Sequence, residues 1–197
     1  MDEAEPVSDP IARFLALLEK AKQSPIAEPT AMALATADGE GRPSVRMVLL
    51  KGADERGFVF YTNLQSRKAL EIAANPHSAL CFHWQPLEVQ IRVEGPVQPV
   101  SAEEADAYFA TRPRGSQIGA WASQQSRPLA SYEDLLARVA EIQERFADQP
   151  VPRPDFWSGF RLVPDRIEFW TNRSDRLHER ELFTRTATGW DRILLYP

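Results

Sequence analysis

The sequence predicts an α+β protein, a small antiparallel β-barrel forming one domain with helices inserted between its strands. Three observations carry that prediction. The chain has 197 residues, 43% hydrophobic and 26% charged, which suits one folded domain with a real core. Several short runs alternate apolar and polar residues with the period of a half-buried strand. Between them lie segments with helical spacing and recognisable caps, while the strand runs follow one another in meander order.

Residues 1–7 are expected to be loose, and the folded domain to span 8–197. A helix is predicted from Ser8, whose hydroxyl suits an N-cap, with Pro10 tolerated in the first turn. Ile11, Phe14, Leu15 and Leu18 form its apolar stripe, and "SPIAEPT" ends it. "AMALATA" and "SVRMVLLKG" then read as paired strands joined by the turn "DGEGRP". Next come the strand "GFVFYTN", a short helix from Ser66 to about Ala74, and the strand "SALCFHW". In "LEVQIRVEG", Leu87, Val89, Ile91 and Val93 face one side and Glu88, Gln90, Arg92 and Glu94 the other. Ser101 and Glu104 form a capping box for a helix that stops before Pro113. Further helices are predicted over about Gly115–Ser123 and from Ser131, with Asp134 at its capping position, to about Ala147. The tail returns to strands at "FRLVP", "RIEFWT", "ELFTRT" and "WDRILLY".

Composition narrows the function. Lys and Arg number 23 against 28 Asp and Glu, a net charge of -5, which argues against a nucleic-acid surface. Cys81 stands alone and His77, His83 and His178 show no zinc spacing, so neither an internal disulfide nor a metal site is expected. No apolar run reaches the roughly 20 residues of a membrane span, and "MDEAEPVSDP" does not read as a signal peptide. The expectation is a soluble, cytoplasmic protein with no membrane partner.

Three constellations can carry chemistry. Ser66, Arg67 and Lys68 open a helix directly after a strand, where free N–H groups and two cations make an anion pocket, and Arg46 and Lys51 can add charge. An ordinary N-cap with two solvated cations has the same pattern. In "YFATRPRGSQIGAW", Tyr108 and Arg112 share a helix face and Ser116 falls near the next helix start, a set suited to a phosphate monoester. A plain helix junction with surface polar groups is the alternative. In "RLHER", an extended chain would align Arg176, His178 and Arg180 on one face, favouring a neutral histidine between two cations; a solvated edge strand balanced by Glu179 and Glu181 is the other reading. Gln90, Gln125 and Trp170 complete the candidates, Trp170 being a residue type more often found in a core. No Ser-His-Asp set, no GxGxxG after a strand and no paired carboxylates are legible, which favours a phosphorylated cofactor as the seat of the chemistry.

The segments "RMVLLKG", "FYTNLQSRKA", "YFATRPRGSQIGAWASQQS", "FWSGFR" and "IEFWTNRSDRLHER" resemble the pyridoxine/pyridoxamine 5'-phosphate oxidases over about residues 8–197. The resemblance implies an FMN-binding split β-barrel with peripheral helices, and a homodimer holding FMN at the subunit interface. It assigns FMN to Arg46, Met47, Val48, Leu49, Lys51, Tyr61, Thr62, Ser66, Arg67, Lys68, Gln90, Gln125, Ser126, Trp170 and Arg180. It assigns the substrate phosphate to Lys51, Tyr108, Arg112 and Ser116, and the pyridine ring and reacting carbon to Arg176 and His178, the expected catalytic pair. The implied reaction oxidises pyridoxine or pyridoxamine 5'-phosphate to pyridoxal 5'-phosphate, with hydride passing to the flavin. O₂ then accepts the electrons to give H₂O₂, and ammonia leaves when the amine is the substrate. The chain departs from the family at Glu179, where Asp is usual, at Asp175, where Asn or His is common, and in the final "LLYP", which lacks the usual Arg. The family's longer N-terminal arm has no counterpart before the first helix, so the substrate's cover is expected to be missing or supplied otherwise. Two other functions fit parts of the pattern: a flavin oxidase for another ring, as in phenazine pathways, and a non-catalytic FMN or pyridoxal phosphate carrier.

Overall fold

The computed structural model describes residues 9–197, so the expected loose segment 1–7 and the expected cap Ser8 lie outside the described residues. The first helix, α1 (Pro10–Lys22), is capped by Asp9, whose carboxylate accepts the Ile11 N–H at 2.9 Å. Its apolar stripe closes the barrel. Phe14 lies 4.8 Å from Phe58, 5.0 Å from Phe82 and 5.8 Å from Trp84 between ring centroids, in tilted and edge-on contacts.

Strands β1 (Ala31–Ala37) and β2 (Pro43–Leu49) pair antiparallel as expected, from Ala31 opposite Leu49 to Ala37 opposite Pro43. Asp38 secures their turn by accepting the N–H groups of Glu40 and Arg42. A short strand that the sequence did not announce, β3 (Gly52–Asp54), precedes β4 (Gly57–Asn63). Helix α2 (Arg67–Ala74) and strand β5 (His77–Trp84) follow. Strand β6 (Val89–Pro99) starts later than predicted, because Gln85–Leu87 form a 3₁₀ turn and Glu88 is left-handed at φ 54°. Val89, Ile91 and Val93 still face the core.

Helices α3 (Ala102–Thr111), α4 (Arg114–Ala122) and α5 (Tyr132–Arg145) lie within two residues of their expected bounds. The Ser101 hydroxyl accepts the Glu104 N–H at 3.1 Å, but the Glu104 carboxylate pairs with Arg161 at 2.8 Å. Ser131 caps α5 through the Asp134 N–H, also at 3.1 Å. The tail forms β7 (Trp157–Leu162), β8 (Arg166–Thr171), β9 (Glu179–Arg185) and β10 (Trp190–Leu195).

The ten strands form one curled antiparallel sheet in the order β10-β9-β8-β6-β5-β1-β2, with β3-β4-β7 joined through β6. The long β6 pairs first with β5 and β8, and its last residues pair with β7. Gly95 lets the β7–β8 connection lie close against β6: a Cβ there would sit 2.0 Å from the Val163 carbonyl oxygen. Helices α3 to α5 pack around a second core of Phe109, Ile118, Phe146 and Trp157, beside the edge strand β2 and the end of β4.

Candidate active site

Between β2, the end of β4, the start of α2 and the α3–α4 junction lies a cleft of about 800 Å³. Its floor is the β2 stretch from Arg46 to Leu49, followed by Lys51. At one end Arg46, Arg67 and Lys68 meet the start of α2. Ser66 sits at the N-cap with extended backbone and makes no side-chain capping bond, so the first-turn N–H groups are free of a side-chain cap. Lys68 is not the solvated cation that a surface cap would carry. It is 8% exposed, and its ammonium donates to Thr62 Oγ1 at 3.1 Å, Gln125 Oε1 at 3.1 Å and Ser66 Oγ at 3.4 Å. Those partners are neutral. Burial, aided by the nearby Arg46 charge and opposed by Glu71, lowers the Lys68 pKa. Ser66 itself is fully buried and serves the pocket from behind.

The other end gathers Tyr108, Arg112 and Ser116, with Lys51 also on the wall. Here the structure amends the expectation in one respect. Arg112 lies beyond the last turn of α3 with φ -71° and ψ 144°, so it reaches the cleft from the turn and does not share a helix face with Tyr108. Pro113 explains this, because the residue before proline is steered out of helical backbone. The Arg112 guanidinium lies 4.7 Å from the Trp157 ring centre, and its Nη1 is buried without a hydrogen-bond partner. Burial lowers the Arg112 pKa, with a smaller opposing effect from Tyr108. Tyr61 packs against Tyr108 at 4.0 Å and Trp157 at 5.4 Å with the three rings nearly parallel, and burial, with Glu104 and Tyr108 near it, pushes its pKa up to about 12. Gln125 and the left-handed Ser126, at φ 70°, complete the wall.

The remaining candidates lie elsewhere in the same chain. Gln90 on β6, Trp170 on β8 and Arg180 on β9 are direct cross-strand neighbours in one row. Along the sheet that row is three to five strands from β2, roughly 14–24 Å at strand spacing. Glu168, 7% exposed, accepts from Arg180 at 2.9 and 3.2 Å and from Arg92 at 3.2 Å. Trp170 is only half-buried, with its ring 4.6 Å from that of His178, so it is not a core residue. The segment around "RLHER" is not extended before Glu179. Ser174–Arg176 form a 3₁₀ turn with Asp175 and Arg176 left-handed, at φ 56° and 60°, so the single-face alignment of Arg176, His178 and Arg180 does not form. The turn instead folds His178 back, its Nδ1 accepting the Arg173 N–H at 3.3 Å.

Trp157, Asn63 and Ser44 also line the cleft and are not among the sequence candidates, nor is Glu71, which accepts from Arg46 and Arg67 without lining it. Trp157 lies within "FWSGFR", but its stacking on Tyr61 depends on β7 pairing with β4, which sequence spacing does not display. Among the described residues, no group of three or more His, Cys, Asp or Glu side chains could hold a metal ion, and no helix is long and apolar enough to cross a membrane.

A curled antiparallel barrel with a cationic cleft along an edge strand defines the FMN-binding split-barrel class of flavoproteins. Residues 18–146 match the family described as pyridoxamine 5'-phosphate oxidase, and residues 157–197 match the pyridoxine 5'-phosphate oxidase C-terminal dimerisation region. The chain belongs to the pyridoxamine 5'-phosphate oxidase family. It is 59% identical over 189 residues to the pyridoxine/pyridoxamine 5'-phosphate oxidase of Myxococcus xanthus (strain DK1622), covering 96% of this chain and 92% of that one. With the enzyme of the same name from Sphingopyxis alaskensis it shares 62% identity over 189 residues, 96% of this chain and 88% of the other. Among solved structures, PhzG from Burkholderia lata 383, in complex with tetrahydrophenazine-1-carboxylic acid, is 34% identical, with TM-score 0.92 over 98% of this chain and 95% of that one. A pyridoxamine 5'-phosphate oxidase-related, FMN binding protein from Nostoc punctiforme PCC 73102 shares the fold at 18% identity and TM-score 0.76, over 100% of both chains.

Proposed function

We propose that the protein is an FMN-dependent oxidase converting pyridoxine or pyridoxamine 5'-phosphate to pyridoxal 5'-phosphate. The observation that carries this reading is that one cleft has two anion-seeking ends. Two features of the chain fit phosphorylated ligands: the buried Lys68 ammonium bonded only to neutral oxygens, and the partnerless buried Nη1 of Arg112. FMN fits the α2 end, with its phosphate at Arg46, Arg67 and Lys68 and its flavin along Met47, Val48, Leu49, Tyr61 and Thr62. The substrate phosphate fits Lys51, Tyr108, Arg112 and Ser116.

When bound, FMN supplies a two-electron acceptor that O₂ re-oxidises with release of H₂O₂. The protein's own part is placement. Arg112 and Ser116 hold the phosphate remote from the reacting carbon, so binding energy fixes the pyridine ring in one orientation. Arg176 braces the ring, and His178 takes the proton of the alcohol or amine. The amine substrate consumes water and releases ammonia.

Gln90, Trp170, Arg180, Arg176 and His178 lie outside the cleft of their own chain, so the reading requires a second copy. A homodimer with FMN at the interface brings that row to the partner's cleft. Its support is the C-terminal dimerisation region together with exposed Val45 and Met47, 68% and 65% accessible on the edge strand β2. A cytoplasmic location belongs to the same proposal, supported by the single half-buried thiol of Cys81.

Anaerobic mixing tests the reading. FMN-loaded protein with either phosphorylated substrate should lose the oxidised flavin band near about 450 nm. Air should restore the band, with pyridoxal 5'-phosphate and peroxide formed. A band that persists with both substrates, despite tight FMN binding, would point to an oxidase for another ring or to a carrier.

A further inference from the structure

Among the described residues, Glu71 is the buried carboxylate beside the cleft's cationic end, at 6% exposure. It stands on α2 one turn beyond Arg67 and faces β1 and β2. Its Oε2 accepts from the Thr36 hydroxyl at 2.5 Å, the Ser44 hydroxyl at 2.6 Å and Arg46 Nη2 at 3.2 Å, while Oε1 accepts from Arg67 Nε at 2.8 Å. The two hydroxyls also accept from Arg46, through Nη1 to Thr36 and Nη2 to Ser44. Arg46 is thereby tied to the carboxylate both directly and through two bridging oxygens. Burial alone would raise the Glu71 pKa; the four donors outweigh it and hold the group at about 2, so it is ionised throughout the working range.

We propose that Glu71 is a positioning residue for the cofactor phosphate, fixing the Arg46 and Arg67 guanidiniums and trimming the pocket's charge to suit a dianion. The inference rests on the cofactor reading above. Three cations surround the start of α2, and one carboxylate leaves two positive charges, which match a phosphate monoester at neutral pH. Only an ionised carboxylate can accept from both arginines and both hydroxyls. An amide in its place turns an NH₂ toward either Arg46 or Arg67, so one guanidinium loses its contact with residue 71 whichever way the amide lies, although Arg46 keeps the Leu34 carbonyl and the two hydroxyls. A guanidinium held by fewer contacts must be re-ordered when the phosphate arrives, and that ordering reduces affinity.

The test is titration of apoprotein with FMN and with riboflavin, which lacks the phosphate, followed by quenching of flavin fluorescence. Glu71→Gln should weaken FMN at least about tenfold while riboflavin affinity moves by less than about threefold. Ser44→Ala, which removes one bridging hydroxyl and leaves the carboxylate, should show a smaller loss with the same selectivity for FMN; it carries the test if Glu71→Gln does not fold. Parallel loss of both flavins would overturn the proposal, because a general folding role weakens them alike. Unchanged or tighter FMN binding would overturn it too, leaving the carboxylate as a competing charge only. A wild-type protein that binds the two flavins equally would instead overturn the assignment of the cofactor phosphate to α2.

Discussion

Replacing Lys68 with methionine separates what the site does for the cofactor from what it does for the fold. The ammonium is buried and bonded to three neutral oxygens, and its pKa is lowered by burial first and by Arg46 second. Between that lowered value and the ordinary 10.5, the unfolded chain binds the proton more tightly, so folding stability rises with pH across the window. At neutral pH the charged form is therefore a cost to the apoprotein. Methionine keeps the volume and removes the charge, at the loss of neutral hydrogen bonds worth about 1 kcal/mol each. Part of that loss is covered, because Thr62 Oγ1 already donates to Gln125 at 3.0 Å. The melting temperature of the Lys68→Met apoprotein should match or exceed that of wild type, and its rise with pH in the alkaline range should be smaller. FMN affinity should fall roughly ten- to hundredfold, the equivalent of one charge-assisted contact of about 1.5–3 kcal/mol. Thermal melts of apoprotein at neutral and alkaline pH, with fluorescence titration by FMN, read both effects. Destabilisation of the apoprotein by more than about 2 kcal/mol would refute the reasoning, since it would make Lys68 a structural contact and not a charge held for a ligand.

Three further outcomes follow from the cleft. Arg112→Met should raise KM for either phosphorylated substrate at least about tenfold while the apoprotein melts within about 4 °C of wild type, because the lost guanidinium had an unpaired buried nitrogen. Gly159→Ala should destabilise by about 1–3 kcal/mol in denaturant titration, since the new Cβ would lie 2.7 Å from two Tyr61 ring carbons and press that ring toward Tyr108. Tyr61, with its pKa near 12, favours the protonated phenol in the fold. Its stability contribution is full below pH 10 and declines as pH rises from there toward 12; Tyr61→Phe should flatten that alkaline loss in pH-dependent melts.

Local pattern revealed most of the barrel and about half of the site. Strands with a buried face announced themselves by alternation, as Met32, Leu34 and Thr36 do on β1. Gly52–Asp54 gave no sign because three residues carry no period. The alignment of Arg176, His178 and Arg180 that an extended "RLHER" would give does not form, because side-chain alternation is blind to the left-handed backbone at Asp175 and Arg176. The α2 pocket was legible since helix start and cations adjoin in the chain. Glu71 was not, because Arg67 and Glu71 four apart read as an ordinary surface pair until β1 and β2 cover the carboxylate. The Gln90, Trp170 and Arg180 row exists only through strand register.

That row and the cleft belong to different regions of one chain, and the division has a genetic consequence. If each active centre takes its cleft from one subunit and its Arg176 and His178 from the other, an Arg112→Met chain and an Arg176→Ala chain are each defective alone. Assembled together, they form a mixed pair in which one centre carries both lesions and its twin carries neither. Two defective alleles would then complement at the protein level, recovering up to half the wild-type activity per mixed dimer, whereas a single chain lacking both residues would rescue nothing and would depress a wild-type partner.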